Sequence, residues 1–316
     1  MFEMLILAIP IATAALLVWS SIRAWRTKKP LLKWGGGGLA ALSAAVVTLI
    51  GVVLLTGLFK LHARSAPTVT LKVAGTEDQI RRGQAVADGF CSACHSKTGR
   101  MTGGLEIGKH FPVPIGSFVS SNLTPSGELS RWSDGDIFRA IRNGLDRDGR
   151  WLIIMSYTNA GKLSDEDIWA VIAYLRSLPA AGQTTSNPPD HLSPLGLVML
   201  GAGMLPTGKP TSSGTIIAPS HGATAQYGEY IVSYQDCREC HGQRLTGGMP
   251  GQLGPLGPDL TPVKDWTFEA FAATLRTGVD PNGHALGEDM PWKPLGRMDD
   301  ETLRAIYEYL AHLPGG

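Results

Sequence analysis

Two apolar runs open the chain. LILAIPIATAALLVWSSI at 5–22 and GGGGLAALSAAVVTLIGVVLLTGLF at 35–59 each approach the roughly 20 residues that a helix needs to cross about 30 Å of hydrocarbon. Pro10 and its shorter length make the first run the weaker span. Between them, RAWRTKKPLLK carries Arg23, Arg26, Lys28, Lys29 and Lys33, a short cationic loop of the kind that the positive-inside bias assigns to the cytoplasm. The pattern predicts a two-helix membrane anchor over 1–64, with everything after Lys60 outside. The rival is a cleaved signal peptide, since SAPT at 65–68 places small residues after an apolar run. Such a peptide has one apolar region of about 7–15 residues, whereas two longer runs precede this site.

Beyond residue 64 the apolar positions fall at helical spacing in short segments, and the segments form two matching series. RRGQAVADGFCSACH matches QYGEYIVSYQDCRECH, and TGG follows each, at 102–104 and 246–248. NLTP at 122–125 matches DLTP at 259–262, and the Trp-led stretch at 132–152 matches that at 266–286. KLSDEDIWAVIAYLRSLP at 162–179 matches RMDDETLRAIYEYLAHLP at 297–314. Each closing segment reads as an amphipathic helix, capped by Ser164 or Asp299, acidic in its first turn and stopped by Pro179 or Pro314. Ser133 and Thr267 cap the Trp-led helices. No strand alternation stands out, so the expectation is all-α: two repeated domains at 65–180 and 224–316. The connection at 181–223 is rich in Pro, Gly, Ser and Thr and should be largely irregular. Its apolar stretch at 195–205 is too short to span a bilayer, and either rests on the membrane or a partner or packs as an ordinary turn of helix.

All four cysteines lie in two Cys-x-x-Cys-His units, Cys91, Cys94, His95 and Cys237, Cys240, His241. A disulfide pair, a thioredoxin-like couple, a zinc site and covalent c-type haem compete for them. Haem attachment needs two thiols for the two vinyl groups of one porphyrin and an imidazole that reaches the iron from the same side, which is this spacing. Zinc would need both pairs to converge, although each sits in its own copy of the repeat. A thioredoxin-like motif wants a preceding strand, and here a helix-like stretch precedes each. The expectation is two covalently bound haem c groups.

The opposite face of each iron needs a ligand, and methionine sulfur is a common electron-transfer choice that raises the reduction potential. Met155 and Met290 occupy the same place in the two copies, 23 residues after Trp132 and 24 after Trp266. Met101 and Met249 follow their histidines too closely, and Met298 opens the last helix. His62, His110, His191, His221, His284 and His312 have no counterpart of their own type and read as surface or loop residues, with His110 the nearest to an alternative ligand. Arg142 and Arg276 recur at one position and are candidates for haem propionates or ordinary solvated helix-end cations.

The 316 residues are 43% hydrophobic, high for a purely soluble protein and in keeping with the two apolar runs. Seven Lys/Arg and one acid fall in 1–64, leaving 21 basic and 26 acidic residues beyond. The outer part is therefore net −5 before any propionate is added, and should be steered to a basic docking surface. No basic patch lies outside the loop, which argues against nucleic-acid binding.

The stretches SNLTPSGELSRWSDGDIFRAIRNGLDRDGR, IIMSYTNAGKLSDEDIWAVIAYLRSLP and EDMPWKPLGRMDDETLRAIYEYLAHLP, with the TGG motifs, resemble the class I cytochrome c domains of membrane-associated bacterial dehydrogenases. The resemblance spans about 77–316 and is nearest to the cytochrome subunits of quinoprotein alcohol dehydrogenase and its gluconate, fructose and aldehyde relatives. It implies two class I cytochrome c domains after the two membrane helices, with Cys91, Cys94, His95 and Met155 on one haem and Cys237, Cys240, His241 and Met290 on the other. It also implies electron flow from haem to haem towards quinone or a terminal acceptor. Those subunits usually carry three haems and a cleaved signal, unlike this chain. An anchor followed by two haem domains is instead the layout of the dihaem subunit of cbb-type haem-copper oxidases, whose characteristic interdomain sequence is not found here.

The expected role is an electron-transfer subunit with no catalytic residues of its own, in the bacterial inner membrane with its haem domains in the periplasm. Its partners would be the lipid bilayer and the other subunits of a respiratory or photosynthetic complex: a dehydrogenase, an oxidase, a quinol-oxidising complex or a reaction centre. A dihaem peroxidase-like enzyme is the alternative and would need one iron with an open position.

Overall fold

The computed structural model describes residues 2–185, 189–250, 252 and 255–313. The chain is mostly helical and divides into two compact units. The first gathers Met1–Arg64, Ile107–Phe118 and Asp190–Thr207, and the second holds the rest.

In the first unit α1 (Phe2–Trp25) runs unbroken through Pro10. A π-helical turn at Leu31–Gly36 leads into α2 (Gly37–Ala63). The turn between them is locked locally: Ser21 Oγ donates to Gly37 O at 2.8 Å, and the rings of Trp25 and Trp34 meet edge to face at 4.9 Å with Lys33 Nζ over both. Both helices are long and apolar enough to cross a membrane.

The other two segments of this unit come from connections far apart in sequence. Gly116–Phe118 (β1) pairs antiparallel with Asp190–Leu192 (β2), Ser117 opposite His191. This small sheet departs from the all-α expectation, because three-residue strands carry no readable alternation and their pairing is non-local. The apolar stretch of the connection forms α8 in chain order (Pro194–Gly201), capped by Ser193. It packs on α2 through glycine. A Cβ on Gly57 would overlap Leu197 O, and one on Gly201 would overlap Val53 O. Lys60 Nζ donates to Leu200 O at 2.9 Å and Gly201 O at 3.2 Å, a cation on the last carbonyls of that helix.

In the second unit α3 (Glu77–Val86) starts at a capping box between Thr76 and Gln79, and a π-helical turn at Ala87–Cys91 carries it into α4 (Ser92–His95). Next come α5 (Asp134–Asn143), α6 (Ile153–Tyr157) and α7 (Asp165–Ser177). The second series is α9 (Ala225–Tyr234), α10 (Cys237–His241), α11 (Phe268–Thr277), α12 (Trp292–Leu295) and α13 (Asp300–Ala311). Ser133, Ser164, Thr267 and Asp299 each accept the backbone N–H three residues on, as caps should, each contributing about 1 kcal/mol. Gly144 and Gly278 end α5 and α11 in the left-handed region, where a Cβ is strained. Leu178 turns extended before Pro179 and ends α7, while the other expected stop, Pro314, lies outside the described residues.

Within each series the first and last long helices cross on a glycine: α3 meets α7 where a Cβ on Gly83 would overlap Ala170 O, and α9 meets α13 where one on Gly228 would overlap Ala305 O. One apolar cluster draws on both series, with Ile168, Ile172, Ile231 and Leu303 fully buried.

Candidate functional site

The two Cys-x-x-Cys-His units are wound as single helical turns. Cys91 closes the π-helical turn with Cys94 and His95 following in α4, and Cys237, Cys240 and His241 all lie in α10. No disulfide joins Cys91, Cys94, Cys237 or Cys240. Burial pushes those of Cys91 and Cys237 up to about 12 and raises those of Cys94 and Cys240 as well. This is the opposite of the lowered pKa that a redox-active thiolate couple needs. Among the described residues no group of three or more His, Cys, Asp or Glu converges as a metal cluster, so the two pairs do not form a four-thiolate zinc site.

Each histidine is oriented by the backbone. His95 Nδ1 stands 2.8 Å from Ser121 O, and His241 Nδ1 2.7 Å from Pro258 O. A carbonyl only accepts, so Nδ1 carries the proton and Nε2 keeps its lone pair for a metal. Burial lowers the pKa of His95, which favours this neutral form. Ser121 and Pro258 immediately precede the matching Asn-Leu-Thr-Pro and Asp-Leu-Thr-Pro runs, which is the one sequence signal that could have pointed to these carbonyls. The turn after each histidine repeats too. Met101 and Leu245 are both fully buried with φ of 57° and 61°, and their carbonyls accept from Leu123 and Leu260 at 2.8 and 2.9 Å. Met101 is thus a core residue like Leu245, while Met249 is exposed and Met298 buried.

Met155 and Met290 leave from the same hairpin. Leu152 N donates to Gly144 O and Leu286 N to Gly278 O, both at 2.8 Å, after turns closed by Gly149 and Gly283. Met155 follows three residues later on α6, and Met290 four residues later just before α12. The one-residue difference in spacing from the Trp therefore arises in 287–289. Both methionines are half-buried; Thr158 Oγ1 holds Met155 O at 2.8 Å and Trp292 N holds Met290 O at 2.8 Å.

In the first copy three buried donors suit the acidic edge of a haem. Trp132 Nε1 and the Nε atoms of Arg139 and Arg142 are buried donors without an acceptor, the condition that an acidic group would relieve. The recurrent arginines have other partners as well. Arg142 is buried, donating to Gly161 O, Leu163 O and Asp165 Oδ1, each at 2.6 Å. Arg276 pairs with Asp300, the counterpart of Asp165. Their recurrence reflects one tie between the end of the Trp-led helix and the start of the last helix, and Arg142 is not the solvated cation that its place at a helix end suggests.

Comparison with known proteins gives the same direction. The family described as cytochrome c oxidase, cbb3-type, subunit III matches residues 78–175 and 223–310, over half of the chain. A nicotinate dehydrogenase subunit from Pseudomonas putida is 30% identical over 314 residues, covering 90% of this chain and 25% of that protein. The cytochrome c subunit of the quinone alcohol dehydrogenase of Gluconobacter oxydans is 29% identical over 276 residues, 75% of this chain and 55% of that one. The fructose dehydrogenase cytochrome subunit of Gluconobacter japonicus is 26% identical over 300 residues, 86% and 59%. The chain spans from a quarter to about three-fifths of the length of these relatives.

Proposed function

Since the chain belongs to the cytochrome c family described as subunit III of cbb3-type cytochrome c oxidase, we propose that it is the electron-transfer subunit of a membrane dehydrogenase complex and carries two covalently bound haem c groups. The observation that carries this reading is the duplicated histidine: two attachment turns, each with Nδ1 committed to a backbone carbonyl and Nε2 left for iron. Cys91 and Cys94 would bind one porphyrin and Cys237 and Cys240 the other, with Met155 and Met290 as the sixth ligands. Haem c supplies a reversible one-electron centre. The protein's part is to fix the imidazole tautomer, to bring a thioether to the opposite face and to surround the ring with apolar side chains, all of which tune the potential. A position filled by methionine leaves no site for substrate, which favours electron transfer over peroxidase chemistry.

In this reading residues 1–64 anchor the chain in the bacterial inner membrane, and two class I cytochrome c domains, at 65–180 and 224–316 with a linker at 181–223, stand on its periplasmic face. The catalytic subunit would be a dehydrogenase, in keeping with the names of the relatives.

The experiment is haem quantification on the detergent-solubilised chain, with spin-resonance spectra of the oxidised form. Two haems per chain, falling to one in the Cys91→Ala/Cys94→Ala variant, and two low-spin irons are expected. A high-spin iron that reacts with peroxide would overturn the reading. Gentle solubilisation should bring down a dehydrogenase subunit, whereas a copper-haem oxidase core would assign the chain to the other complex.

A further inference from the structure

The first methionine loop and the second attachment turn are interlocked across the repeat. Asn159, four residues after Met155 and buried, donates its backbone N–H and its Nδ2 to Asp236 Oδ1 at 2.8 and 2.7 Å, and Nδ2 also lies 3.0 Å from Glu239 Oε1. Asp236 immediately precedes Cys237, and Glu239 immediately precedes Cys240. Lys209 closes the clamp from the other side. Its Nζ donates to Glu239 Oε1 at 2.6 Å, and its backbone N–H to Ser156 O, next to Met155, at 2.7 Å. The loop that presents the first methionine is therefore held at both ends of the four-residue span 156–159 by groups that reach it from the second attachment turn and the chain leading to it.

A second tie runs from the second copy to the first attachment turn. Arg297 and Met298 stand in the second copy where Lys162 and Leu163 stand in the first. Arg297 Nη1 donates to Ser92 Oγ at 3.3 Å, the residue after Cys91, and a Cβ on Gly89 would stand 2.6 Å from Met298 Cε. Between the two clamps, Phe90 and Tyr234, each just ahead of an attachment turn, meet edge to face at 6.0 Å.

We propose that Asp236 is a positioning residue for the axial methionine of the first haem: although it belongs to the second copy, its carboxylate holds the loop that keeps Met155 on the iron. The proposal rests on the assignment of Met155 as a ligand made above. A thioether is neutral and stays bound only while its loop stays closed, so the opening equilibrium of that loop sets how readily another ligand replaces it. Hydrogen bonds to an ionised group are among the stronger ones, and losing this pair should favour opening about tenfold or more. The geometry also suits asparagine as a replacement, because residue 236 sits at φ 58°, a conformation that Asn adopts readily, and an amide oxygen still accepts from Asn159.

The test is a titration of the oxidised, dihaem, detergent-solubilised chain with imidazole, followed by the long-wavelength charge-transfer band of methionine-ligated ferric haem. The phase that is missing in Met155→Ala belongs to the first haem. In Asp236→Ala that phase should reach its midpoint at about tenfold lower imidazole. In Asp236→Asn, whose amide oxygen still accepts but carries no charge, the shift should be clearly smaller than in Asp236→Ala. Asn159→Ala loses the Nδ2 bonds but keeps the backbone N–H bond to Asp236, so it should shift the midpoint in the same direction by less, about threefold or more, and it carries the test if Asp236→Ala does not fold. A first-haem midpoint unchanged within twofold in Asn159→Ala and in any folded Asp236→Ala overturns the proposal. If Met155→Ala keeps the whole band, the ligand assignment itself falls, and the proposal with it.

Discussion

Gly83 of α3 lies so close to Ala170 of α7 that no side chain fits between them, and Gly228 of α9 stands in the same relation to Ala305 of α13. The obstacle at each crossing is a backbone carbonyl, which cannot rotate away as a side chain could. Gly83→Ala and Gly228→Ala should each destabilise the chain by about 1–3 kcal/mol or more, as overpacked cores do, despite the better helix propensity of alanine. Thermal or denaturant unfolding of the haem-loaded protein measures this. An unchanged midpoint in either variant would mean that the two helices part at no cost.

Met155 and Met290 hang from hairpins of one design, so their loss should have matching effects. Each Met→Ala variant should remove about half of the long-wavelength ferric band and lower the potential of one haem while the other is unchanged, since a methionine ligand raises the potential. A redox titration of each variant reads this directly. A variant in which both haems shift together would point to a common disturbance of the fold and not to a lost ligand.

What could be read from the residues beforehand was what is local. Ser133, Ser164, Thr267 and Asp299 are legible as caps because a cap and its N–H lie three residues apart. The repeat register makes Met155 and Met290 equivalent candidates because both follow hairpins of the same length after their Trp-led helices. The pairing of β1 with β2 and the seating of α8 on α2 were not legible, for they join segments over seventy residues apart by backbone contacts with no residue-type signature. Arg142 misled for a similar reason. Its helix-end position suggests solvent, but the carbonyls that bury it belong to Gly161 and Leu163. The partners of His95 and His241 are also backbone oxygens, which any residue can supply.

The seat of α8 on α2 gives a further expectation within the first unit. Gly57→Leu places a side chain against Leu197 O and should lift α8 away, exposing its buried Leu197 and Leu200 to protease. Lys60→Ala removes only the cation on the last carbonyls and should have a smaller effect, of about 0.3–1 kcal/mol for a charge at a helix end. Limited chymotrypsin digestion of the chain compares the two. Equal cleavage in Gly57→Leu and the unmodified chain would show that the close glycine approach is not what keeps α8 in place.

Asp134 sets an acid limit on stability. Its side chain is buried at the first turn of α5, accepts from Val73 N at 3.0 Å and Arg176 Nε at 3.0 Å, and has Lys72 Nζ at 3.7 Å. Burial alone would raise its pKa, but the Val73 N–H, Arg176 and Lys72 together outweigh it and hold the carboxyl below its ordinary value. The unfolded chain therefore binds this proton at higher pH than the folded one. The contribution to stability is complete above the ordinary carboxylate pKa of about 4 and is lost as the pH falls through the lower folded value. Asp134→Asn cannot ionise, so it should flatten that part of the stability curve below about pH 4. At neutral pH it should cost about 1–3 kcal/mol, the worth of hydrogen bonds to a charged group. Denaturant midpoints of both chains measured from pH 7 downwards test this, and parallel curves for the two would show that Asp134 is not the group responsible.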